Sequence, residues 1–191
     1  MSNTIDFRDQ KWVVERHKDY CLSGFRFEKV LFSQQSQFQK VEVIETSHYG
    51  RLLLNDDLVM VSEKDEFVYH EMMAHVPLMV HPLPKKVLII GGGDGGTARE
   101  VLRHDLVEKC VLVEIDEMVV KACRQYIPQT ASVFDHPKLQ LQIGDGVEFV
   151  RECSERFDVI LVDSTDPIGP AQPLFGADFY SDIYKLLNED G

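Results

Sequence analysis

The pattern of apolar and polar residues divides the chain into two parts. Residues 1–62 contain short β-rich runs, separated by turn residues such as Asn55-Asp56-Asp57. The runs cover residues 11–15, 38–46, 51–54 and 58–61. Short strands with turn signals between them are typical of an antiparallel sheet. We therefore predict a small antiparallel β domain over residues 1–62.

The second part, residues 63–191, alternates between strand and helix patterns. Strands are predicted at residues 87–90, 110–115, 139–143 and 159–163, and helices at 65–78, 97–104, 117–126, 146–152 and 178–188. Ser62 and Asp65 have the spacing of a capping box at the start of the first helix. Pro77, Pro82 and Pro84 are expected to punctuate the junction after that helix. The alternation predicts an open parallel sheet with helices on both faces, which is a Rossmann-like α/β fold.

The end of the chain adds one expectation about the second part. The last pattern is helical, and Gly191 has the character of a helix C-cap that leads into another strand. A doubly wound sheet that stops on a helix suggests an incomplete domain. We therefore expect that the natural protein continues beyond residue 191 and that C-terminal strands are missing here.

A glycine-rich loop follows the predicted strand at residues 87–90. Its sequence is Gly91-Gly92-Gly93-Asp94-Gly95-Gly96. The G-x-G-x-x-G spacing is a weak signal alone, although glycines let the backbone approach a ligand closely. Asp94 sharpens the interpretation, because a carboxylate repels a pyrophosphate and attracts a cation. The loop therefore predicts a nucleoside ligand that carries positive charge and no phosphate.

Acidic residues stand at or just beyond the ends of all four predicted strands. They are Asp94, Glu114, Asp145 and Asp163. Ligands of open α/β sheets bind at this edge, where Glu114 can accept hydrogen bonds from both ribose hydroxyls. Asp145, beside Gly146, can receive the amine of an adenine. From the residues alone, however, an ordinary turn is the favoured interpretation of Asp145.

Two further groups are candidates for chemistry. Asp163 and Asp166 lie in a loop stiffened by proline and glycine, Asp-Ser-Thr-Asp-Pro-Ile-Gly-Pro. The alternative is that both aspartates only cap backbone amides, but the strand-end position of Asp163 favours catalysis. Tyr69 and His70 are neighbours on the first helix. For Tyr69 the residues alone favour packing in the core, as is usual for an aromatic residue on an amphipathic helix.

Composition excludes several classes of function. The net charge of -12 argues against binding nucleic acid or an anionic membrane. Four cysteines without a C-x-x-C pair predict free thiols in a reducing cytoplasm. The longest apolar runs are too short to span a bilayer, and the polar N-terminus does not resemble a signal peptide. His70 and His75 are five residues apart rather than four, so no metal site is predicted.

The chain resembles the spermidine synthases, a family of polyamine aminopropyltransferases. The resemblance rests on Phe38-Gln39, Asp65-Glu66-Phe67-x-Tyr69, the glycine loop with Asp94, Glu114-Ile115-Asp116, Gly144-Asp145-Gly146 and the loop of residues 163–170. It implies a methyltransferase-like Rossmann domain behind an N-terminal β domain, assembled as a homodimer or homotetramer. It also implies transfer of an aminopropyl group from decarboxylated S-adenosylmethionine to putrescine, which yields spermidine and methylthioadenosine.

The resemblance assigns roles to individual residues. Asp163 corresponds to the proton acceptor, assisted by Tyr69. The polyamine side of the site corresponds to His70, Asp94, Asp163 and Asp166, and the nucleoside side to Gln39, Gly91, Gly93, Asp94, Glu114, Asp145, Gly146 and Pro170. No metal or cofactor is implied, because the donor is a co-substrate whose sulfonium is already a good leaving group. Gln172-Pro173 departs from the Glu-Ser expected there, and the family's C-terminal strands are absent.

Other interpretations remain open. A methyltransferase that uses ordinary S-adenosylmethionine has a similar fold, but Asp94 should repel the carboxylate of that donor. A nicotinamide dehydrogenase shares the glycine pattern but gains nothing from Asp94. The chain could also be an inactive or oligomerising fragment of a synthase.

Overall fold

The structure, a computed structural model, describes residues 4–7, 9–17, 20–167 and 169–191, without the side chains of His17 and Pro170. Within these ranges the chain forms eleven strands and six α-helices. None of the described helices has both the length and the apolar character needed to cross a bilayer.

The N-terminal part consists of two antiparallel sheets. The first contains β1 (Thr4–Phe7), β2 (Gln10–His17) and β3 (Cys21–Arg26), and the second contains β4 (Lys29–Gln35), β5 (Lys40–Thr46), β6 (Gly50–Asn55) and β7 (Leu58–Ser62). The predicted antiparallel β structure is confirmed. The sequence did not indicate β1, β3 or β4, because exposed and polar positions interrupt their apolar pattern.

The remaining elements alternate as predicted. They are α1 (Glu66–Val80), β8 (Lys86–Gly91), α2 (Gly96–Val101), β9 (Lys109–Glu114), α3 (Glu117–Tyr126), α4 (Pro128–Ala131), β10 (Leu139–Ile143), α5 (Gly146–Glu152), β11 (Val159–Asp163) and α6 (Ala177–Lys185). The four strands form a parallel sheet in the order β10-β9-β8-β11. The Rossmann-like fold is therefore confirmed. The strand order reverses beside β8, and open α/β sheets bind ligands at such a switch point.

Both faces of the parallel sheet are covered, which explains why its strands were easy to predict. In β8, Leu88 and Ile90 pack into the core on one face, and Val87 and Ile89 pack into the core on the other. Strands buried on both faces have continuous rather than alternating apolar runs.

Two predictions at the ends of α1 were wrong. Ser62 lies in β7, where its hydroxyl donates to the Tyr49 carbonyl, and the N-cap Asp65 makes no side-chain capping hydrogen bond. Of the three prolines expected at the junction, Pro82 and Pro84 lie between α1 and β8, whereas Pro77 lies inside the helix. The helix continues to Val80, and the His81 amide donates to the Pro77 carbonyl to close its last turn.

The prediction that Gly191 is a helix C-cap was also wrong. α6 ends at Lys185 and its C-cap is Leu186. The next residue, Leu187, forms a parallel bridge with Phe157, and the Asn188 side chain donates to Asp158 at 2.6 Å. These contacts hold the segment after α6 beside β11.

The two parts of the chain are joined next to the ends of the parallel strands. Ser36, in the turn before β5, donates through its hydroxyl to Asp116 at 2.7 Å. The Gln39 amide donates to the same carboxylate oxygen at 3.2 Å. The other oxygen of Asp116 caps α3 by accepting from the Met118 amide. Asp116 therefore connects the antiparallel sheet to the Rossmann-like part.

We predict that Leu112→Ala will lower the free energy of unfolding by about 2–5 kcal/mol, because Leu112 is fully buried in β9 and its loss leaves a cavity. Leu106→Ala is the matched control, since Leu106 is 51% exposed and its truncation should change the free energy by less than about 0.5 kcal/mol. Urea denaturation of both variants measures the difference. Equal destabilisation would contradict the assigned core.

Candidate active site

A pocket of about 270 Å³ lies at the carboxyl ends of β8, β9 and β11. The glycine loop forms one side, and the antiparallel sheet closes another through Leu53, Asn55, Val59 and Met60. The segment after β11 contributes Ala171 and Leu174. The pocket therefore occupies the switch point of the sheet and is lined by both parts of the chain.

Most residues proposed for the site meet in this pocket. Its lining includes Gln39, Tyr69, His70, Gly91, Gly93, Asp94, Glu114, Asp145, Gly146 and Asp163. Asp166, which lies in a bend after β11, is exposed and does not contribute to the lining. The side chain of Pro170 lies outside the described part of the chain.

Asp163, at the end of β11, is buried between two hydroxyl donors. Its Oδ1 accepts from the Tyr69 hydroxyl at 2.8 Å, and its Oδ2 accepts from the Thr97 hydroxyl at 2.6 Å. Burial raises the pKa of Asp163, the charge of Asp94 raises it further, and the two hydroxyls offset part of this effect. A carboxylate in this environment is better suited to accept a proton than an exposed one.

Close backbone contact at the loop depends on Gly91. The Gly92 amide donates to the Asp163 carbonyl at 2.9 Å. A Cβ on Gly91 would lie 2.0 Å from that carbonyl oxygen, and its φ of 85° favours glycine. The glycine therefore allows the loop to lie directly against the end of β11.

Tyr69 points into the pocket, so the interpretation from residues alone, which favoured core packing, does not hold. The residue is 48% exposed, and its ring packs edge-to-face on His70 with 5.5 Å between centroids. Burial and the charge of Asp163 raise the pKa of the Tyr69 phenol. The phenol therefore stays protonated near neutral pH and donates to Asp163.

Asp94 is held as an anion. Its Oδ1 accepts from the Gly96 amide at 2.7 Å and lies 3.2 Å from His70 Nε2. Burial alone would raise the pKa of Asp94, but the hydrogen bond and charge of His70, with the Gly96 amide, hold it below its usual value. The two carboxylates of the pocket therefore differ in proton affinity, because the pKa of Asp94 is lowered and the pKa of Asp163 is raised.

Glu114, at the end of β9, faces the same pocket. Its carboxylate accepts from the Gly93 amide at 3.0 Å and from the Asp116 amide at 2.8 Å. Burial raises the pKa of Glu114 to about 7, and the charge of Asp116 acts in the same direction. The ionisation of Glu114 is therefore sensitive to pH in the physiological range.

Asp145 both caps a helix and lines the pocket. Its Oδ1 caps α5 by accepting from the Val147 amide at 2.7 Å, as expected of an ordinary turn. The same residue also lines the pocket with Gly146. Capping therefore fixes Asp145 at the rim, where it remains available to a ligand.

Sequence reasoning missed three residues that support the site. Thr97 donates to Asp163, and the paired side chains of Glu66 and Arg99 lie behind His70. Glu66 and His70 are four residues apart, so the i, i+4 spacing places them on one helical face. That spacing was a signal that could have been used.

Two clusters in the described ranges have the residue types of metal ligands. The ligand atoms of His70, Asp94 and Asp163 lie within 4.8 Å of one another, as do those of Glu71, His75 and Glu100. In the first cluster, hydrogen bonds from His70, Tyr69 and Thr97 already occupy carboxylate oxygens. That the protein uses no metal stays a prediction.

The comparisons with known proteins cover both parts of the chain. Residues 11–63 match the family model of the spermidine synthase tetramerisation domain, and residues 66–191 match that of the spermine/spermidine synthase domain. The polyamine aminopropyltransferase of Methanocaldococcus jannaschii is 43% identical over 100% of this chain and 65% of its own length. That of Clostridium kluyveri is 47% identical over 94% of this chain and 66% of its own length. The chain thus spans just under two-thirds of these relatives.

Solved structures agree with these matches. A spermidine synthase in complex with the transition-state analogue AdoDATO superposes with a TM-score of 0.91 and 46% identity, covering 93% of this chain and 61% of that one. The spermidine synthase from Thermotoga maritima gives a TM-score of 0.86 and 44% identity over 93% and 60% of the two chains. With a family model matched over residues 66–191, the chain belongs to the spermine/spermidine synthase family.

Proposed function

We propose that this chain carries the active site of a polyamine aminopropyltransferase of the spermidine synthase type. Its reaction transfers the aminopropyl group of decarboxylated S-adenosylmethionine to putrescine, which gives spermidine and methylthioadenosine. The observation that carries the proposal is the pair of unlike carboxylates in one pocket. Asp94 is held as an anion beside His70, and Asp163 has a raised pKa beside Tyr69.

The nucleoside half of the donor fits the β9 side of the pocket. Glu114 is the group that accepts from the ribose hydroxyls, because its buried carboxylate lies beside the glycine loop. Asp145 and Gly146 border the adenine, and Gln39 closes the pocket from the antiparallel part. Gly91 and Gly93 border the ligand by letting the loop pack closely on Asp163 and Glu114, since a Cβ would lie 2.0 Å from the Asp163 carbonyl oxygen at Gly91 and 2.7 Å from the Glu114 carboxylate at Gly93. These assignments leave the Asp94 end of the pocket for the cationic aminopropyl chain.

The chemistry requires a free amine lone pair. Near neutral pH the amine of putrescine is an ammonium, so it must lose a proton before it attacks the carbon next to the sulfonium. The new C–N bond forms as the C–S bond breaks, and the sulfur keeps the electron pair as a neutral thioether. Asp163 takes the proton, and Tyr69 and Thr97 hold its two oxygens in position. Binding both reactants in one pocket supplies much of the remaining acceleration.

The proposal extends to cofactors, assembly and location. The thioether leaves the sulfonium donor without metal or redox assistance, so no cofactor is included, and neither nucleic acid nor a membrane is a proposed partner. The match of residues 11–63 to a tetramerisation domain supports a homodimer or homotetramer. The four cysteines are free, which supports a reducing cytoplasm.

The deciding experiment is a product assay. The purified protein is incubated with either decarboxylated or ordinary S-adenosylmethionine and with putrescine, a longer diamine or spermidine. Mass spectrometry should show spermidine and methylthioadenosine from the decarboxylated donor and putrescine. A methylated amine from ordinary S-adenosylmethionine would instead identify a methyltransferase.

Asp163→Asn should reduce turnover by roughly 10²-fold or more, the usual scale for loss of a general base. Donor affinity should change little, because Asp163 is assigned to the acceptor amine. Steady-state kinetics with a separate donor titration measures both quantities. The control is Asp178→Asn, which makes the same change on an exposed position of α6. Near-normal turnover of Asp163→Asn would exclude it as the base.

Asp94→Asn should weaken binding of the decarboxylated donor and narrow its advantage over S-adenosylmethionine. The ordinary donor carries a carboxylate that Asp94 repels, whereas the decarboxylated donor offers only an ammonium. The preference should shrink by roughly 1.5–3 kcal/mol, the scale of a hydrogen bond to a charged group. Isothermal calorimetry with both donors tests this, and an unchanged affinity ratio would contradict the assignment.

Binding of methylthioadenosine should weaken as the pH falls through about 7, because burial raises the pKa of Glu114 to that value. The ribose hydroxyls need the ionised carboxylate, so protonation removes their acceptor. The loss should reach up to roughly tenfold per pH unit below the pKa. Glu114→Gln should bind weakly at every pH, whereas exposed Glu148→Gln should retain the wild-type profile. A wild-type affinity independent of pH would argue against this role.

A further inference from the structure

A chain of four charged side chains runs from the surface of α2 into the pocket. Arg99 donates to both oxygens of Glu66, from Nη1 to Oε1 at 2.8 Å and from Nη2 to Oε2 at 2.9 Å. Glu66 Oε2 lies 2.5 Å from His70 Nδ1, and His70 Nε2 lies 3.2 Å from Asp94 Oδ1. Only Asp94 of these groups lies in the glycine loop.

The contacts of His70 determine its protonation state. Both ring nitrogens face carboxylate oxygens, which have no proton to donate when ionised. A neutral imidazole carries a single N–H, so only the doubly protonated ring donates to both Glu66 and Asp94. Burial alone would lower the pKa of His70, but the hydrogen bonds and charges of Asp94 and Glu66 raise it to about 9. His70 is therefore a buried cation at neutral pH.

The partners of Glu66 stabilise its ionised form. Besides Arg99 and His70, Gln129 donates to its Oε1 at 3.1 Å. Burial alone would raise the pKa of Glu66, but the hydrogen bonds from Arg99 and His70 hold it below its usual value. The side chain is only 5% exposed, so its charge depends on these partners rather than on water.

The position of the His70 ring is also fixed sterically. A Cβ on Gly96 would lie 2.2 Å from the ring, so the imidazole packs directly on the first residue of α2. The Tyr69 ring packs edge-to-face against it. The ring is therefore confined between Glu66 and Asp94 and cannot adjust freely if either partner is lost.

We propose that Glu66 is a positioning residue that acts through His70, keeping the imidazole doubly protonated and directed at Asp94, so that Asp94 stays an anion and Asp163 remains the proton acceptor. The role in transfer rests on the proposed function, whereas the protonation of His70 does not. Pairs of carboxylates whose environments separate their pKa values are how acid and base roles are divided in active sites.

The effect of pH on the site depends on the titratable and charged groups that face His70. They are Glu66 and Tyr69 on α1, Asp94 in the glycine loop and Asp163 on β11, with Arg99 behind Glu66. When His70 loses its proton, Asp94 loses its cationic partner and its pKa rises towards that of Asp163. The two carboxylates then compete for one proton, and their distinct roles are lost.

The first test is NMR titration of the His70 ring in the whole protein, with the resonance identified by its absence in His70→Gln. The wild-type midpoint should be about 9. Glu66→Gln should lower the midpoint by at least about one pH unit, a tenfold loss of proton affinity. Glu66→Asp, which keeps the charge but shortens the side chain, should lower it less. It also provides a second measurement if Glu66→Gln does not fold.

Glu100→Gln is the matched control. Glu100 is also buried and also accepts from Arg99, at 2.7 Å from Nε, but its other ionic partners in the described part of the chain are Arg103 and His75 rather than His70. This variant should leave the His70 midpoint at the wild-type value. If the midpoint is unchanged in both Glu66 variants, or falls equally in Glu100→Gln, the proposal is wrong.

The second test is the pH dependence of kcat/KM for the amine at saturating donor. As the pH is raised, Glu66→Gln should lose activity at a lower pH than the wild type, and both kcat and the affinity for the donor should fall, because Asp94 is assigned to the donor as well. In a His70→Gln background, the same substitution should have less than about a twofold further effect, because its route through His70 is gone. Additive effects of the two substitutions would show that Glu66 does not act through His70.

If the wild type transfers no aminopropyl group, the proposed function fails, while the NMR midpoints still decide whether Glu66 controls the protonation of His70.

Discussion

Two carboxylates buried in one pocket repel each other, and the side chains around Asp94 and Asp163 offset that repulsion. Asp94 and Asp163 lie on neighbouring segments because β8 and β11 are adjacent at the switch point of the sheet. Because each carboxylate is buried away from water, each needs hydrogen-bond or ionic partners from the protein. The partners come from helices packed above the strand ends: His70 and Tyr69 from α1, and Thr97 from α2. Helix α1 is thus part of the site as much as part of the fold.

The unequal distribution of these partners gives the pocket its chemistry. Asp94 receives a cation and a backbone amide, whereas Asp163 receives two neutral hydroxyls. A cation stabilises the ionised form of its partner more strongly than a hydroxyl does. Two identical side chains at the same sheet edge therefore acquire different affinities for a proton. The partners that cause this difference come from α1, which precedes β8 in the chain, and from α2, which follows it.

The sequence predicted the parallel sheet well because its strands are buried on both faces and have continuous apolar runs. β10 and β11 have the predicted limits, and Asp94, Glu114, Asp145 and Asp163 all reach the pocket. The antiparallel part was predicted less completely, because exposed strands such as β1 carry a weaker apolar pattern. Local spacing could not show that Thr97 and Arg99 support the site, since their partners are distant in sequence. Nor could it show that the loop bends at Asp166 and leaves that residue exposed.

The hydrogen bonds from Ser36 and Gln39 to Asp116 have a thermodynamic consequence for the molecule as a whole. The pocket has walls from both the antiparallel sheet and the Rossmann-like part, so it exists only while the two remain docked. Any molecule that binds there favours the docked state over the separated one, by an amount that grows with the ratio of its concentration to its Kd. A small ligand therefore stabilises the contact between the antiparallel sheet and the Rossmann-like part. Its occupancy makes their unfolding more cooperative, without requiring either unit to change its internal structure.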